Sequence, residues 1–155
     1  MTLLDPVSLL LGLPDVAYSF LYRKPSKFME YLIYYFAAME ITVSHALRRH
    51  FWWYNNILWI EDLEPHISIV VGLAGNDEVT NPHAVREYVL QMKKIREERK
   101  STLRATGKTD ETSFLGDIDV LFWPDYSHGQ CTGCSTAVAS LSKCIDQVET
   151  FVKIV

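Results

Sequence analysis

Two residues that could work as an acid–base pair, Asp77 and His128, each follow a short apolar run of the sequence. Residues 66–74 form the first run and end three positions before Asp77, whereas residues 118–123 form the second and end five positions before His128. A carboxylate beside an imidazole fixes the tautomer of the ring and stabilises the imidazolium after the ring has taken a proton. This chemistry requires the two runs to be neighbours in the fold.

The order of elements in the second half of the chain predicts such neighbours. Strand, helix, strand and helix alternate, which is typical of a parallel α/β sheet. Neither apolar run alternates with polar residues, so both strands are expected to be buried on both faces. The helix between them should begin at Asn81 and Pro82. A right-handed connection then sets the strands side by side, about 4.8 Å apart, and brings Asp77 and His128 to the carboxyl edge, where open sheets bind ligands.

Apolar residues at helical spacing define the faces of the predicted helices. The helix after Pro82 carries Val85, Tyr88, Val89, Met92 and Ile95, and the last helix carries Val138, Leu141, Ile145, Val148, Val152 and Val155. In the first half, one helix is predicted from Ser26 to about His50, with Met29, Leu32, Phe36, Met39, Val43 and Leu47 on its apolar face. The aromatic stretch 51–60 is interpreted as core or cap packing, and the polar stretch 99–113 as a solvated loop.

Composition narrows the class of protein. A chain of 155 residues is one domain by length, and its net charge of -4 argues against an electrostatic nucleic-acid binder. Three cysteines do not make a disulfide framework, which favours a reducing compartment. Residues 1–20 contain no uninterrupted apolar stretch long enough to span a membrane and no basic region before an apolar one, so we expect neither a transmembrane segment nor a signal peptide, and an intracellular location.

Three other chemistries compete for the region around His128. His128, Cys131, Cys134 and Cys144 could ligate zinc, and Cys131 with Cys134 could form a redox pair. Ser127 could be a nucleophile, although a residue directly before the base is poorly placed to reach its imidazole. Cys144 falls beside the apolar face of the last helix, where buried cysteines are common. We therefore expect neither a bound metal nor a cofactor.

Four segments together resemble the C-terminal half of α/β-hydrolase-fold proteins, in particular a group of uncharacterised fungal α/β hydrolases. The segments are "DPVSLLLGLPDVAYSFLYRKP", "SHALRRHFWWYNNILWIEDL", "VVGLAGNDEVTNPHAVREYV" and "DVLFWPDYSHGQ", and they are spread over the chain from residue 5 to residue 130, leaving out the 99–113 stretch and the last helix. This fold orders its catalytic residues as nucleophile, acid and histidine. The resemblance thus implies that Asp77 is the acid and His128 the histidine of a triad.

The sequence also departs from that family. No serine lies in a G-x-S-x-G frame, and the early strands and the oxyanion-hole loop have no counterpart. The resemblance places "LLDPV" at the end of the sixth strand of the parent fold. The predicted fold class is therefore α/β: a single partial α/β-hydrolase domain over 1–155, with a helical cap-like region at 7–62 and a βαβα unit at 66–155 that holds the last two strands.

An acid and a histidine without an attacking group do not make an esterase. We expect the parent activity to be serine-dependent hydrolysis of an ester or other acyl bond, with a hydrophobic acyl or ester substrate, and this chain to be inactive alone. The alternative is a non-catalytic binding or interaction module derived from the same fold. With two visible strands and an unpaired strand edge, the chain is expected to self-associate or to need the missing N-terminal half.

Overall fold

The computed structural model describes residues 1–107 and 115–152. Its helices and strands, in chain order, are β1 (Thr2–Leu4), α1 (Pro14–Leu21), α2 (Phe28–Ile33), α3 (Ile41–Arg49), β2 (Ile69–Asn76), α4 (Pro82–Ala105), β3 (Ile118–Ser127) and α5 (Ser135–Val152). They fall into two compact units. The sheet unit comprises Met1–Pro6, Trp59–Asp77 and Pro82–Val155, and the helical unit comprises Val7–Leu58 and Glu78–Asn81.

The sheet unit is a mixed α/β structure around a parallel sheet of three strands in the order β1-β2-β3, as counted over the described residues. The parallel pairing of the two predicted strands is confirmed. The expectation of only two strands is wrong, because β1 pairs with the other edge of β2. The amide of Val70 donates to the carbonyl of Met1 (3.0 Å), and the amide of Asp5 donates to the carbonyl of Gly72 (2.9 Å). That edge of β2 is therefore paired over three positions, where the sequence predicted it to be bare.

The two long strands, β2 and β3, differ in how many of their residues are buried. Ile69, Val70, Val71, Leu73 and Ala74 of β2 are all buried, as predicted. In β3 only Ile118 is buried, and the prediction that this strand is covered on both faces is wrong. The reason is position, because β2 lies between two strands whereas β3 has β2 as its one described neighbour.

Helix α4 begins at Pro82, as predicted, and packs Val85, Val89 and Met92 into the core. Ile95, predicted on the same face, is exposed. The helix continues to Ala105, so the prediction of a loop is wrong for residues 99–105, and the rest of that stretch up to 113 falls largely outside the described residues. Lys100 on the added turns lies 2.5 Å from the carboxylate of Asp117, which ties them to the segment before β3.

The last helix, α5, packs Ala137 and Leu141 into the core, whereas Val138 of its predicted apolar face is exposed. Val148, Val152 and Val155 lie outside the described side chains. None of the helices within residues 1–107 and 115–152 has the length and apolar character needed to cross a bilayer.

The helical unit does not contain the single long helix predicted from Ser26. The carboxylate of Glu30 accepts from the amides of Ser26 (2.6 Å) and Lys27 (3.1 Å), which starts α2 at Phe28. A π-helical turn follows, and Glu40 then caps α3 by accepting from the amide of Val43 (2.6 Å). The Glu30 cap thus lies at the predicted start of the helix, whereas the Glu40 cap begins a second helix and divides the predicted one. Its C-terminal end, at Arg49, lies where the cations of the sequence predicted it.

Many large apolar side chains of the helical unit are exposed. Leu32, Phe36 and Met39, predicted to lie on an apolar face, are 37%, 80% and 46% exposed. The aromatic side chains predicted as core or cap packing are exposed as well, so they do not form a core, and cap packing stays a prediction; they are Phe51, Trp52, Trp53 and Tyr54, with Trp59 of the sheet unit. The core of the helical unit is built instead from Leu9, Val16, Leu21 and Ala38.

The pairing of β2 with β3 is interrupted near its carboxyl end. Ala74 pairs with Trp123 and Asn76 pairs with Ser127, so residues 124–126 lie opposite the single residue Gly75. Proline has no amide hydrogen to donate to a strand ladder, which explains why regular pairing stops at Pro124. A Cβ atom on Gly75 would lie 2.5 Å from the carbonyl oxygen of Pro124. Only glycine allows the two backbones to approach this closely.

We predict that Gly75→Ala lowers the free energy of unfolding by about 1–3 kcal/mol, because the added methyl group must displace the backbone at Pro124. Gly133→Ala is the matched control, since a Cβ atom there meets no other atom within 4 Å. Equilibrium urea unfolding of both variants measures the effect. Equal unfolding midpoints for the two variants would show that the close approach at Gly75 is not required.

Candidate active site

The interruption in the sheet sets Asp77 and His128 in register. Because Asn76 pairs with Ser127, each of the two residues comes directly after a paired position. Uninterrupted pairing from Ala74 and Trp123 would instead have set Asp77 opposite Tyr126. The irregular segment of β3, residues 124–126, therefore brings His128 level with Asp77, the residue that it contacts.

The two predicted residues contact each other in the structure. Nδ1 of His128 lies 2.9 Å from Oδ2 of Asp77. The aspartate side chain is 2% exposed and the histidine side chain 27% exposed. An ionised carboxylate can only accept, so in the neutral ring Nδ1 carries the proton and Nε2 is the nitrogen that can take one. The contact therefore orients the ring, as the predicted role of His128 as a general base requires.

The turn that carries His128 is shaped by its own residues. Gly129 has a φ of 72°, a left-handed conformation that glycine adopts without strain. The amide of Ser127 donates to the side-chain oxygen of Gln130 (2.9 Å), and the hydroxyl of Thr132 donates to the carbonyl of Gly129 (2.7 Å). These contacts close the turn on both sides of the histidine, and a short 3₁₀ helix, Gln130–Gly133, follows.

A third residue, Asp5, contacts the histidine turn, and the sequence did not identify it as part of the site. Its side chain is buried and accepts from the amides of Ala74 (2.6 Å) and Gly129 (2.8 Å). The signal was present in the sequence. Leu3 and Leu4 are apolar and are followed by an acid and Pro6, much as the apolar residues of β2 are followed by Asp77.

The cysteines considered as zinc ligands or as a redox pair have different partners. Sγ of Cys131 lies 3.9 Å from Oδ2 of Asp5, whereas Sγ of Cys134 lies 3.0 Å from the hydroxyl oxygens of Tyr126 and Thr136. Over residues 1–107 and 115–152, no group of three or more histidine, cysteine or acidic side chains is arranged to hold a metal ion.

Hydrogen bonding and burial give the thiols of Cys134 and Cys131 different pKa values. Hydrogen bonds from Thr136 and Tyr126, with the amides of Ala137 and Thr136, lower the pKa of Cys134 to about 6. Burial, followed by the nearby charge of Asp5, raises the pKa of Cys131. Near neutral pH, Cys134 is therefore largely a thiolate and Cys131 a thiol.

No family model, curated protein or solved structure matches the chain. The resemblance to α/β hydrolases thus stays a prediction from the sequence segments that carry it. The catalytic roles of Asp77 and His128 stay predictions too, supported by the contact between the two side chains.

We predict that iodoacetamide alkylates Cys134 with a pH midpoint near 6 and that Cys131 reacts far more slowly, because the first is ionised and the second is buried as a thiol. Mass spectrometry of separated peptides gives both rates in one sample. In Tyr126→Phe the midpoint should rise, since one donor to the thiolate is lost. A midpoint for Cys134 near that of an ordinary thiol, about 8.5, would contradict the assigned hydrogen bonds.

Proposed function

We propose that this chain supplies the acid and the histidine of a serine-hydrolase site that cleaves ester or other acyl bonds, with Asp77 as the acid and His128 as the general base. The attacking serine would come from polypeptide outside residues 1–155. One observation carries the proposal, namely the 2.9 Å contact between Nδ1 of His128 and Oδ2 of Asp77 at the carboxyl edge of two paired parallel strands.

In the proposed reaction, Nε2 of His128 takes the proton of the serine hydroxyl as that oxygen attacks the acyl carbonyl. The buried carboxylate of Asp77 stabilises the resulting imidazolium. The ring then gives the proton to the leaving alcohol as the acyl–oxygen bond breaks. In the second half, it takes a proton from water, which hydrolyses the acyl-enzyme, and returns that proton to the serine. The 27% exposure of His128 leaves the ring accessible to such groups.

Two further features support a site completed by other polypeptide. Among the described strands, β1 has a partner on one side, β2, so its other edge can extend a larger parallel sheet. The helical unit also exposes large apolar side chains, which further polypeptide of the fold would cover. A partial α/β-hydrolase fold, with residues 7–62 as its cap-like region, accounts for both features. The hydrophobic acyl or ester substrate is implied by the resemblance.

A second function, a non-catalytic interaction module, has one observation in its favour. Phe28, Phe36 and Ile41 of the helical unit are 76%, 80% and 82% exposed. Side chains of this size and exposure are typical of protein or lipid contact surfaces. This function requires no nucleophile and leaves the contact between Asp77 and His128 as a structural one.

We expect the chain alone to hydrolyse p-nitrophenyl esters no faster than an Asp77→Ala, His128→Ala double variant, because positioning a base without an attacking group does not catalyse acyl transfer. The assay covers short and long acyl chains. Activity above that of the double variant would show that the chain contains its own nucleophile.

The longest protein encoded by the reading frame that contains these residues gives the positive test. If it carries a G-x-S-x-G segment, it should hydrolyse esters, and His128→Ala should lower kcat at least about a thousandfold. His66→Ala is the matched control, because His66 is an exposed histidine beside Glu64. Hydrolysis that is insensitive to His128→Ala would refute the proposal, and a reading frame without such a segment would favour the interaction module.

A further inference from the structure

Asp5 lies where β1 ends, with 4% of its surface exposed. Its backbone has a φ of 40°, a left-handed conformation that non-glycine residues rarely adopt. Its own amide makes the last backbone bond from this strand to β2, to the carbonyl of Gly72 (2.9 Å). The chain then leaves the sheet at Pro6. The side chain, not the backbone, makes the next contact with β2.

The two carboxylate oxygens of Asp5 contact different parts of the sheet unit. Oδ1 accepts from the amide of Ala74 (2.6 Å), which lies one residue before the interruption in β2. Oδ2 accepts from the amide of Gly129 (2.8 Å), the residue directly after His128, and from the thiol of Cys131 (3.9 Å). Hydrogen bonds that backbone amides donate to a buried carboxylate are among the stronger ones in proteins. Asp5 thus bridges the end of β2 and the histidine turn.

We propose that Asp5 is a positioning residue for His128, because it holds the amide of Gly129 and so fixes the turn in which the imidazole reaches Asp77. The histidine turn is anchored from two sides, by Asp77 at the ring and by Asp5 at the next backbone amide. The importance of this anchor for catalysis rests on the proposed function, whereas the anchor itself is a property of the fold.

An asparagine at position 5 would keep the shape of the side chain but offer a single acceptor oxygen. A buried amide without a partner is costly, so the oxygen should stay with the amide of Ala74, which is fully buried, and the NH₂ group should face Gly129, which is exposed. Because an NH₂ group cannot accept the amide hydrogen of Gly129, we expect the histidine turn to detach while the centre of β2 stays paired. If Asp5 positions His128, the substitution should also change the contact of the imidazole with Asp77. If its role is purely structural, the substitution should affect only the amides of Ala74 and Gly129.

Nuclear magnetic resonance of the full ¹⁵N-labelled chain tests this without any substrate. In the wild type, the amides of Ala74 and Gly129 should exchange slowly with solvent, and a low-field proton resonance of His128 Nδ1 should be present and vanish in Asp77→Asn. In Asp5→Asn, the amide of Gly129 should exchange at least about tenfold faster and the Nδ1 resonance should be lost. The amides of Val71 and Leu73 should keep their exchange rates.

The matched control is Asp15→Asn, an exposed aspartate of α1, which should leave every one of these signals unchanged. A folded Asp5→Asn variant that retains the Nδ1 resonance would overturn the proposal. If that variant does not fold, the wild type provides the test. Exchange of its Gly129 amide at the rate of an open loop would also overturn the proposal. This experiment does not depend on ester hydrolysis. Its result can therefore overturn the positioning role of Asp5 independently of the proposed function.

Discussion

The position of His128 depends on where the pairing between β2 and β3 is interrupted. Gly75 and Pro124 approach each other so closely that a methyl group does not fit between them, and three residues of β3 lie opposite one residue of β2. Pairing then resumes for a single position before Asp77 and His128. A backbone constraint of this kind sets the separation of two functional groups without using either side chain.

Buried carboxylates hold the histidine turn once the backbone has brought it there. Asp77 contacts the ring, and Asp5 contacts the following amide from the end of β1. Both charges are buried and hydrogen-bonded, as burial of a charge requires. The same Asp5 charge helps to keep Cys131 a thiol. His128 is thus held by buried polar contacts rather than by apolar packing, an arrangement that suits the acid–base role proposed for it.

The sequence predicted the elements that have long, regular patterns. The apolar run of β2 and the start of α4 at Pro82 could be predicted from the sequence. With the second apolar run they indicated two neighbouring parallel strands, which placed Asp77 and His128 at one edge of the sheet. Periodicity could not predict β1, because three residues are too few to show one; the one pointer to a strand there was the resemblance, which places "LLDPV" at a strand end. Helical spacing identified Phe36 as part of an apolar face, but spacing cannot tell whether anything covers that face. The interruption at Gly75 depends on a tertiary contact with Pro124, which no local pattern records.

The central claim is that Asp77 orients the ring of His128 so that, in the uncharged state, Nδ1 carries the proton and Nε2 does not. The tautomer of His128 tests it most directly, read from ¹⁵N chemical shifts of the ring in the uncharged state, with the exposed His66 as the internal comparison. The account predicts a single tautomer with the proton on Nδ1, and loss of that preference in Asp77→Asn. A proton on Nε2, or a tautomer mixture like that of His66, would contradict it.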